Sequence, residues 1–470
     1  MPTRVIDVGD GHTGRLLLAD KDEISQRSSY VALSHCWGNL PEGESDKWNT
    51  TTRNKEKRLN GFLITELPQT FQDAIAVTQE LGQRYLWIDS LCILQDDPDD
   101  WVTESKKMEA VFQNAYCVIA ATSAEDSTKG FLNQPKEKGL QYVMVPESSQ
   151  GKVCICTSVD DDFDSDVIKG VLNTRAWVLQ ERALSRRMIH FTNRQMYWEC
   201  GGGVRCETLV HRKNSKLSFR SDPEFPRSIK NRAPSAQVEL LQSLITDYSN
   251  FGISKKTDRP VAIFALAEAL ARTLKTKVYY GIFECFLHRC LLWQRAQNTL
   301  TQISYASKAP PSWSWMAYNG QIQYLPIEFE DAEWDDSVRL VEDEPSDPTA
   351  SSEKYIYALE ARVRRLRAKP EVAKRAILDK KNNEEVGDLW FDTEPEVQCA
   401  IIGRESTRAT NRTIGSERIG AKDENRIYYV LFVTEYATQS LGRKFGRVGV
   451  GSIEKRFILF DSQDNLAHIV

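Results

Sequence analysis

The sequence predicts an α/β domain first, with helices on the faces of a parallel sheet, then a helical segment and a β-rich C-terminal unit. Three observations carry that prediction. Over about the first two hundred residues, short apolar runs alternate with stretches whose apolar residues recur every three or four positions, as strands and crossover helices do. From about Val238 to Leu292 the helical spacing is dense, with Ile263, Phe264, Leu266, Ala269 and Leu270 among the apolar positions. Towards the C-terminus the period becomes two: Tyr355, Tyr357, Leu359, Ala361 and Val363 alternate with other residues, the pattern of an antiparallel sheet with one covered face.

Each element follows in order. Tyr30-Val31-Ala32-Leu33 is a strand ending in Ser34-His35-Cys36-Trp37-Gly38. Phe71, Ala74, Ile75, Thr78 and Leu81 then share a helical face, with Pro68 in the first turn and Gly82 as the stop. Leu86-Trp87-Ile88 is a second strand, ending in Asp89-Ser90. Asp99 or Asp100 caps a second helix carrying Trp101, Met108, Val111 and Phe112 on its inner side. Residues 116–121 form a third strand ending in Thr122 and Ser123. An acidic loop over 160–166 precedes a helix over 177–184 and a strand over 188–191.

Beyond that point the chain is basic and polar over 205–232 and reads as a linker or surface loop. Pro310-Pro311-Ser312-Trp313-Ser314-Trp315 breaks the helical segment, and 328–348 reads as an exposed acidic loop. Residues 427–433, 446–453 and 456–460 supply further strands. The expected organisation is therefore an α/β domain over 1–210, a linker over 211–235, a helical unit over 236–320 and a β-rich unit over 321–470.

Composition excludes several functions. Lys plus Arg number 61 against 66 Asp plus Glu, a net charge of -5, so no nucleic acid is expected as a partner. The most apolar stretch, 261–271, is short and contains Glu268, so no membrane span is expected. The first residues lack a long apolar run, which predicts no secretory signal. Ten cysteines in 470 residues, most of them in apolar segments, fit a reducing cytoplasmic setting.

In a parallel sheet the binding crevice lies beyond the carboxyl ends of the strands. His35, Asp89 and Ser123 all follow strand ends, so they are expected on one rim. Neighbouring strand residues point to opposite faces, so His35 cannot simply activate Cys36; a buried thiol beside a hydrogen-bonded histidine is the plainer reading. Asp89 either faces the rim or caps the turn that follows it. Trp177 and Glu181 are four apart and share a helical face. Glu181 is then either a partly desolvated carboxylate aimed at a ligand or one half of an ion pair with Arg175, Arg182 or Arg186. Cys154 with Cys156, and Cys200 with Cys206, lack a complementary His/Cys set, so no metal is expected. Gly449-x-Gly451 has no helix after it, and there is no GxxxxGK[ST] loop.

Three blocks, in order, resemble the fungal heterokaryon incompatibility (HET) domain: Tyr30-Val31-Ala32-Leu33-Ser34-His35-Cys36-Trp37-Gly38; Leu67-Pro68-Gln69-Thr70-Phe71-Gln72-Asp73-Ala74 leading to Tyr85-Leu86-Trp87-Ile88-Asp89-Ser90-Leu91-Cys92-Ile93; and Arg175-Ala176-Trp177-Val178-Leu179-Gln180-Glu181-Arg182-Ala183-Leu184-Ser185. Downstream, Asp258-Arg259-Pro260, Pro311-Ser312-Trp313-Ser314-Trp315 and Arg447-Val448-Gly449 look like the C-terminal half of many long HET proteins. The resemblance implies a fungal protein of non-self recognition and programmed cell death, with an incompatible allelic partner or self-assembly. It also implies a distant kinship to TIR domains, whose fold is flavodoxin-like.

In TIR enzymes that cleave NAD, the key glutamate lies in a Trp-x-x-x-Glu helical segment, to which Trp177-Val178-Leu179-Gln180-Glu181 is similar. On that footing Glu181, His35 and Asp89 are the catalytic candidates, and Trp37, Gly38, Ser123 and Trp177 contact the ligand. No cofactor is assigned, and NAD enters as substrate. Nicotinamide already leaves as a neutral base, so the protein needs mainly to stabilise an oxocarbenium-like ribose. Two rivals share the same motifs: a non-enzymatic assembly module, and a specialised-metabolism enzyme acting on a small molecule through His35, Asp89 or a cysteine.

Overall fold

The computed structural model describes residues 1–9, 12–19, 24, 28–39, 41, 43–132, 142–145, 153–156, 163–207, 211–212, 224–296, 300–306, 309–343, 356–366, 398–406, 426–436, 443–460 and 466–470. Of the segments considered above, 160–162, 208–210, 213–223, 344–348 and Tyr355 lie outside the described residues. The chain divides into two compact units. One comprises Met1–Lys230, Phe251–Ser254 and Val261–Thr273; the other comprises Asn231–Asn250, Lys255–Pro260 and Leu274–Val470.

The first unit is built on a ten-stranded mixed sheet with helices. Its strands are β1 (Arg4–Asp7), β2 (Thr13–Leu18), β3 (Tyr30–Ser34), β4 (Phe62–Leu63), β5 (Tyr85–Trp87) and β6 (Val118–Ala120). After a separate hairpin, β7 (Tyr142–Val145) with β8 (Val153–Cys156), come β9 (Arg187–Phe191), β10 (Met196–Cys200), β11 (Gly203–Cys206) and β12 (His211–Arg212). Across the sheet the order is β12-β11-β10-β9-β6-β3-β5-β1-β2-β4. The parallel pairs are β5 with β3, β3 with β6 and β6 with β9, and in the order β5-β3-β6-β9 these strands stand second, first, third, fourth along the chain. β3 and β6 are buried throughout, which is why they read as continuous apolar runs rather than alternating ones. An entirely parallel sheet is therefore corrected. β1 to β2, β9 to β10 and β10 to β11 are joined by connections too short for a crossover, so these strands pair antiparallel.

The helices are α1 (Lys55–Asn60), α2 (Gln69–Glu80), α3 (Asp89–Cys92), α4 (Pro98–Ser105), α5 (Met108–Asn114) and α6 (Ala176–Leu184). α2 begins after an extended Pro68, buries Phe71, Ala74, Ile75 and Thr78, and is followed by Gly82 at φ +68°. The single helix expected from Asp99 or Asp100 is instead two, broken at Lys106-Lys107, and its cap is Asp97. With Pro98 taking the first helical position, the Asp97 carboxylate accepts from the N–H groups of Asp99 at 3.0 Å and Asp100 at 3.1 Å. The polar residues of α2 tie down the loop after β6. Asp73 Oδ2 accepts from Phe131 N at 2.7 Å and Leu132 N at 3.0 Å, and Thr70 Oγ1 accepts from Gly130 N at 3.2 Å.

Behind α6 lies a buried polar cluster. Arg182 donates twice to Glu199, Nε at 2.7 Å and Nη2 at 2.9 Å, and once to Asn173 Oδ1 at 3.1 Å. His190 Nε2 lies 3.0 Å from Glu199 Oε2. Burial opposes ionisation of Glu199, but the Arg182 and His190 charges and hydrogen bonds outweigh it and hold the carboxyl well below its usual range.

The second unit carries a seven-stranded sheet in the order Ala332–Trp334, Gln398–Glu405, Ile427–Glu435, Lys444–Glu454, Leu466–Ile469, Ile356–Arg365, Arg339–Asp343. Ile356–Arg365 also pairs with Gln398–Glu405, so the five central strands close on themselves. A buried apolar cluster on these strands and the turn that follows comprises Cys399, Ile401, Tyr428, Val430, Phe432, Ile453 and Ile458. Two expectations are corrected. The acidic stretch expected as loop contributes Ala332–Trp334 and Arg339–Asp343, end strands whose polar composition hides them. In place of a strand over 456–460 there is a 3-10 turn, Lys455–Phe457, which leads towards Leu466–Ile469, the parallel neighbour of Lys444–Glu454.

The helical segment is also interrupted: between Phe264–Leu274 and Leu287–Leu291 lies the strand pair Val278–Tyr279 with Ile282–Phe283. Two downstream motifs meet at one side chain. Arg447 donates to the carbonyls of Leu291 at 2.9 Å, Trp313 at 3.4 Å and Trp293, with its guanidinium 3.6 Å from the Trp293 ring centroid.

Replacing Glu199 by Ala leaves Arg182 buried without its carboxylate. The expected cost is about 3–5 kcal/mol of stability at pH 7, measured by urea unfolding of the full chain. A cost under ~1 kcal/mol would show the cluster to be dispensable.

Candidate functional site

The carboxyl ends of β3, β5 and β6 lie side by side, and polar residues follow each: His35 after β3, Asp89 and Ser90 after β5, Thr122 and Ser123 after β6. α6 precedes β9, the next parallel strand, and its residues Glu181 and Arg182 are adjacent. Side chains one apart on a helix diverge by about 100°. Arg182 therefore takes Glu199, while Glu181 takes Ser34, whose Oγ donates to Glu181 Oε2 at 2.5 Å. Glu181 is 9% exposed. Burial pushes its carboxyl up to about 7; the Ser34 bond opposes the shift, the Asp89 charge adds to it, and Arg175 opposes it. The surface ion-pair reading of Glu181 is thus replaced by a buried carboxyl held by a hydroxyl.

Arg175, at the start of α6, donates from Nη1 to the His35 carbonyl at 2.5 Å. The His35 ring is buried edge-on against Phe71, with centroids 5.0 Å apart. Burial lowers its pKa to about 4 against the pull of Asp89, and Arg175 adds to the lowering. At pH 7 the ring is neutral, so its 3.9 Å approach to Asp89 Oδ1 is not an ion pair. Asp89 meets both expectations: Oδ1 accepts from Ser90 N at 2.7 Å in the following turn, and Oδ2 accepts from the Trp37 indole N–H at 2.9 Å. Its side chain remains 30% exposed. Burial raises the pKa of Cys36 against the nearby Arg175 guanidinium, which disfavours a thiolate nucleophile there.

The remaining candidates are placed as follows. The polar atom of Trp37 is engaged with Asp89. Gly38 has φ +83°, and a Cβ there would lie 2.2 Å from Asp126 Cβ, so the glycine permits close approach of the loop after β6. Trp177 packs edge-on against Trp101 of α4 at 6.2 Å. Ser123 donates its N–H to the Phe191 carbonyl at 2.9 Å, while its hydroxyl has no hydrogen-bond partner. The structure thus joins Glu181 to Ser34, and Asp89 to Trp37 and His35, while no side-chain hydrogen bond connects Ser123 to either group.

Ser34 and Arg175 are the functional candidates that residue-by-residue reading passed over, although both lie within its motifs. Their signal was position, one at a strand end and the other at a helix start. Several buried side-chain atoms of the strand-end residues and their neighbours lack a hydrogen-bond partner: His35 Nε2, Thr50 Oγ1, Ser90 Oγ and Ser123 Oγ, with Thr50 N bonded to the Ser90 carbonyl at 2.9 Å. Each such group costs about 1–3 kcal/mol when left unmade. Among the described residues, no group of three His, Cys, Asp or Glu could hold a metal ion, and no helix is long and apolar enough to cross a membrane.

A mixed α/β domain with a neutral-range carboxyl beyond the ends of its parallel strands is the class of protein that fold and site define. Residues 30–181 match the family described as "Heterokaryon incompatibility protein (HET)", so the chain carries a HET domain over that span. Neither a curated protein nor a solved structure matches it. The matched span begins at the first residue of β3 and ends at Glu181.

A carboxyl raised from about 4.5 to about 7 binds its proton more tightly in the fold than in the unfolded chain. It therefore makes stability fall as pH rises from about 4.5 to about 7. Glu181→Gln keeps an acceptor for Ser34 and removes the ionisation. The variant is expected to be more stable than the parent at pH 8, by up to about 3 kcal/mol, and nearly equal at pH 4.5. Comparing both proteins at each pH cancels the shared titration of His35 and Glu199. Equal differences at the two pH values in thermal melts would refute the assignment.

Proposed function

We propose that this HET domain binds NAD and cleaves its nicotinamide–ribose bond, with Glu181 as the catalytic carboxylate and with cell death in heterokaryon incompatibility as the outcome. The observation that carries the reading is Glu181 itself, a buried carboxyl titrating near 7 and, among the described residues, with no cation hydrogen-bonded to it. A group poised there is ionised in a large fraction of molecules at neutral pH and still able to take up a proton. The strand order second-first-third-fourth is that of flavodoxin-like sheets, which bind ligands at the switch between the first and third strands. Here that switch lies between β3 and β6, the ends marked by His35 and Ser123. TIR domains share that plan, which supports carrying the Trp-x-x-x-Glu glutamate over to Glu181.

In the proposed reaction the bond from ribose C1′ to the pyridinium nitrogen breaks and its electron pair discharges the nitrogen, so the leaving group needs no acid. The Glu181 carboxylate stabilises the oxocarbenium-like ribose. Asp89, fixed by the Trp37 indole and partly exposed, is placed to accept from a ribose hydroxyl. Neutral His35 packs beside it, and Ser90, Thr50 and Ser123 offer hydroxyls to the sugar and phosphates. Trp177 lies one turn from Glu181 and offers a face for the nicotinamide ring. The setting is the cytoplasm of a fungal cell, and an incompatible allelic partner or self-assembly supplies the trigger.

The test is nicotinamide release from NAD by the full chain at high protein concentration. Release is expected to rise with pH, half-maximal near 7, and to fall on the order of 100-fold or more in Glu181→Gln. If the folded variant releases as much as the parent, Glu181 is not the catalytic group. If neither protein releases nicotinamide while both still trigger cell death, the domain acts by assembly.

A further inference from the structure

Ser34 ends β3, which is hydrogen-bonded by β5 on one side and β6 on the other. The Arg175 bond to the His35 carbonyl fixes the residue that follows. The Ser34 hydroxyl is therefore held on rigid elements, with its proton directed at Glu181 Oε2 across 2.5 Å. A hydroxyl bonded to a base within hydrogen-bond reach is the arrangement of an activated nucleophile. Reacting atoms in an attack geometry lie about 3–3.5 Å apart. A ribose C1′ that approaches the Glu181 carboxylate that closely is carried onto Ser34 Oγ by a movement no larger than the distance between the two oxygens.

We propose that Ser34 is the nucleophile of this site and becomes an O-linked ADP-ribosyl serine during turnover, an inference that rests on the NAD-cleaving reading above. In the first step a lone pair of Ser34 Oγ forms the bond to C1′ as the C1′–nitrogen bond breaks. The breaking bond's electrons leave with nicotinamide, and the hydroxyl proton passes to the Glu181 carboxylate. In the second step water attacks C1′, the Ser34 Oγ–C1′ bond breaks, and Glu181 returns its proton to the serine oxygen. The proton of the water goes to solvent. The sum is NAD and water giving ADP-ribose, nicotinamide and one proton. Two displacements at C1′ retain the β configuration, whereas direct attack by water inverts it.

The experiment follows the full chain with NAD, by nicotinamide release, by intact mass and peptide mapping after rapid quenching, and by the anomeric configuration of the methyl ADP-ribose formed when methanol is present. Expected are a mass increase of one ADP-ribosyl group on the peptide containing Ser34 and a β-methyl product. Ser34→Ala, checked for folding by thermal melting, is expected to lose the adduct and to release nicotinamide on the order of 100-fold more slowly. Ser34→Cys keeps a hydrogen-bond donor and is expected to accumulate a stable thioglycoside at that position, which reports attack even where the serine adduct hydrolyses quickly. An inverted methyl product, or release by Ser34→Ala within about threefold of the parent, would reduce Ser34 to a positioning residue and leave NAD cleavage standing. No release by any of the three proteins overturns both inferences.

Discussion

The short contact between Ser34 and Glu181 depends on how α6 separates two opposite charges. A buried carboxyl takes the nearest strong donor, and Arg182 is its neighbour in sequence. Helical geometry sends the two side chains apart, and Glu199 on β10 engages Arg182 with two hydrogen bonds. Glu181 is left to a serine, a weaker partner that does not compensate its burial, and its carboxyl rises to about 7. The two carboxylates are equally sequestered, but Glu199 is held down by arginine and histidine. Glu199 fixes α6 against the sheet through Arg182, whereas Glu181 keeps a single hydroxyl donor.

The same logic gives α2 its place. Its apolar face packs in the core, yet its polar residues are turned to the loop after β6. Asp73 and Thr70 satisfy the N–H groups of Gly130, Phe131 and Leu132, while Gly38 permits that loop to pass close by. Blocks far apart in sequence thus converge on one rim because each anchors another: α2 holds the β6 loop, the β6 loop packs on Gly38, Trp37 orients Asp89, and Arg175 holds His35. A HET motif read as a catalytic signature is in large part a set of such braces, with few of its residues free to meet a ligand.

What the sequence revealed follows from how local each signal was. The runs that became β3, β5 and β6 are apolar because both faces are covered, and α2 declares itself by spacing, Pro68 and Gly82. Glu181 emerged from periodicity, but its partner lies 147 residues away, and no local pattern reports a contact across a sheet. The break between α4 and α5 was hidden because apolar spacing continues across Lys106-Lys107. The antiparallel flanks escaped for a similar reason: β10 and β11 are short and carry charges, Glu199 and Arg205, that only the folded network explains. Ala332–Trp334 and Arg339–Asp343, at the two ends of their sheet, are polar as end strands tend to be, and acidic composition alone resembles a loop.

The second unit shows how a motif acquires meaning from its contacts. Pro311-Ser312-Trp313-Ser314-Trp315 and Arg447-Val448-Gly449 are separated by more than a hundred residues in sequence. In the fold the Arg447 guanidinium lies against the Trp293 ring and donates to backbone carbonyls, including that of Trp313, while Arg447 N donates to Ser312 Oγ at 2.8 Å. No carboxylate is among these hydrogen-bond partners, and burial lowers the pKa of Arg447 to about 9. An arginine stacked on indole and satisfied by carbonyls buries charge without a counter-ion, because delocalisation lowers its desolvation cost and its fork matches several acceptors at once. Lysine offers neither the plane nor the fork. In both units a buried ionisable group is kept by geometry rather than by an opposite charge, Glu181 through a hydroxyl and Arg447 through an aromatic face and carbonyls. They differ in how readily the charge is lost: Glu181 titrates where cells live, whereas Arg447 remains a cation at neutral pH. The first suits a group that exchanges a proton in reaction, and the second a group that binds a motif to the core.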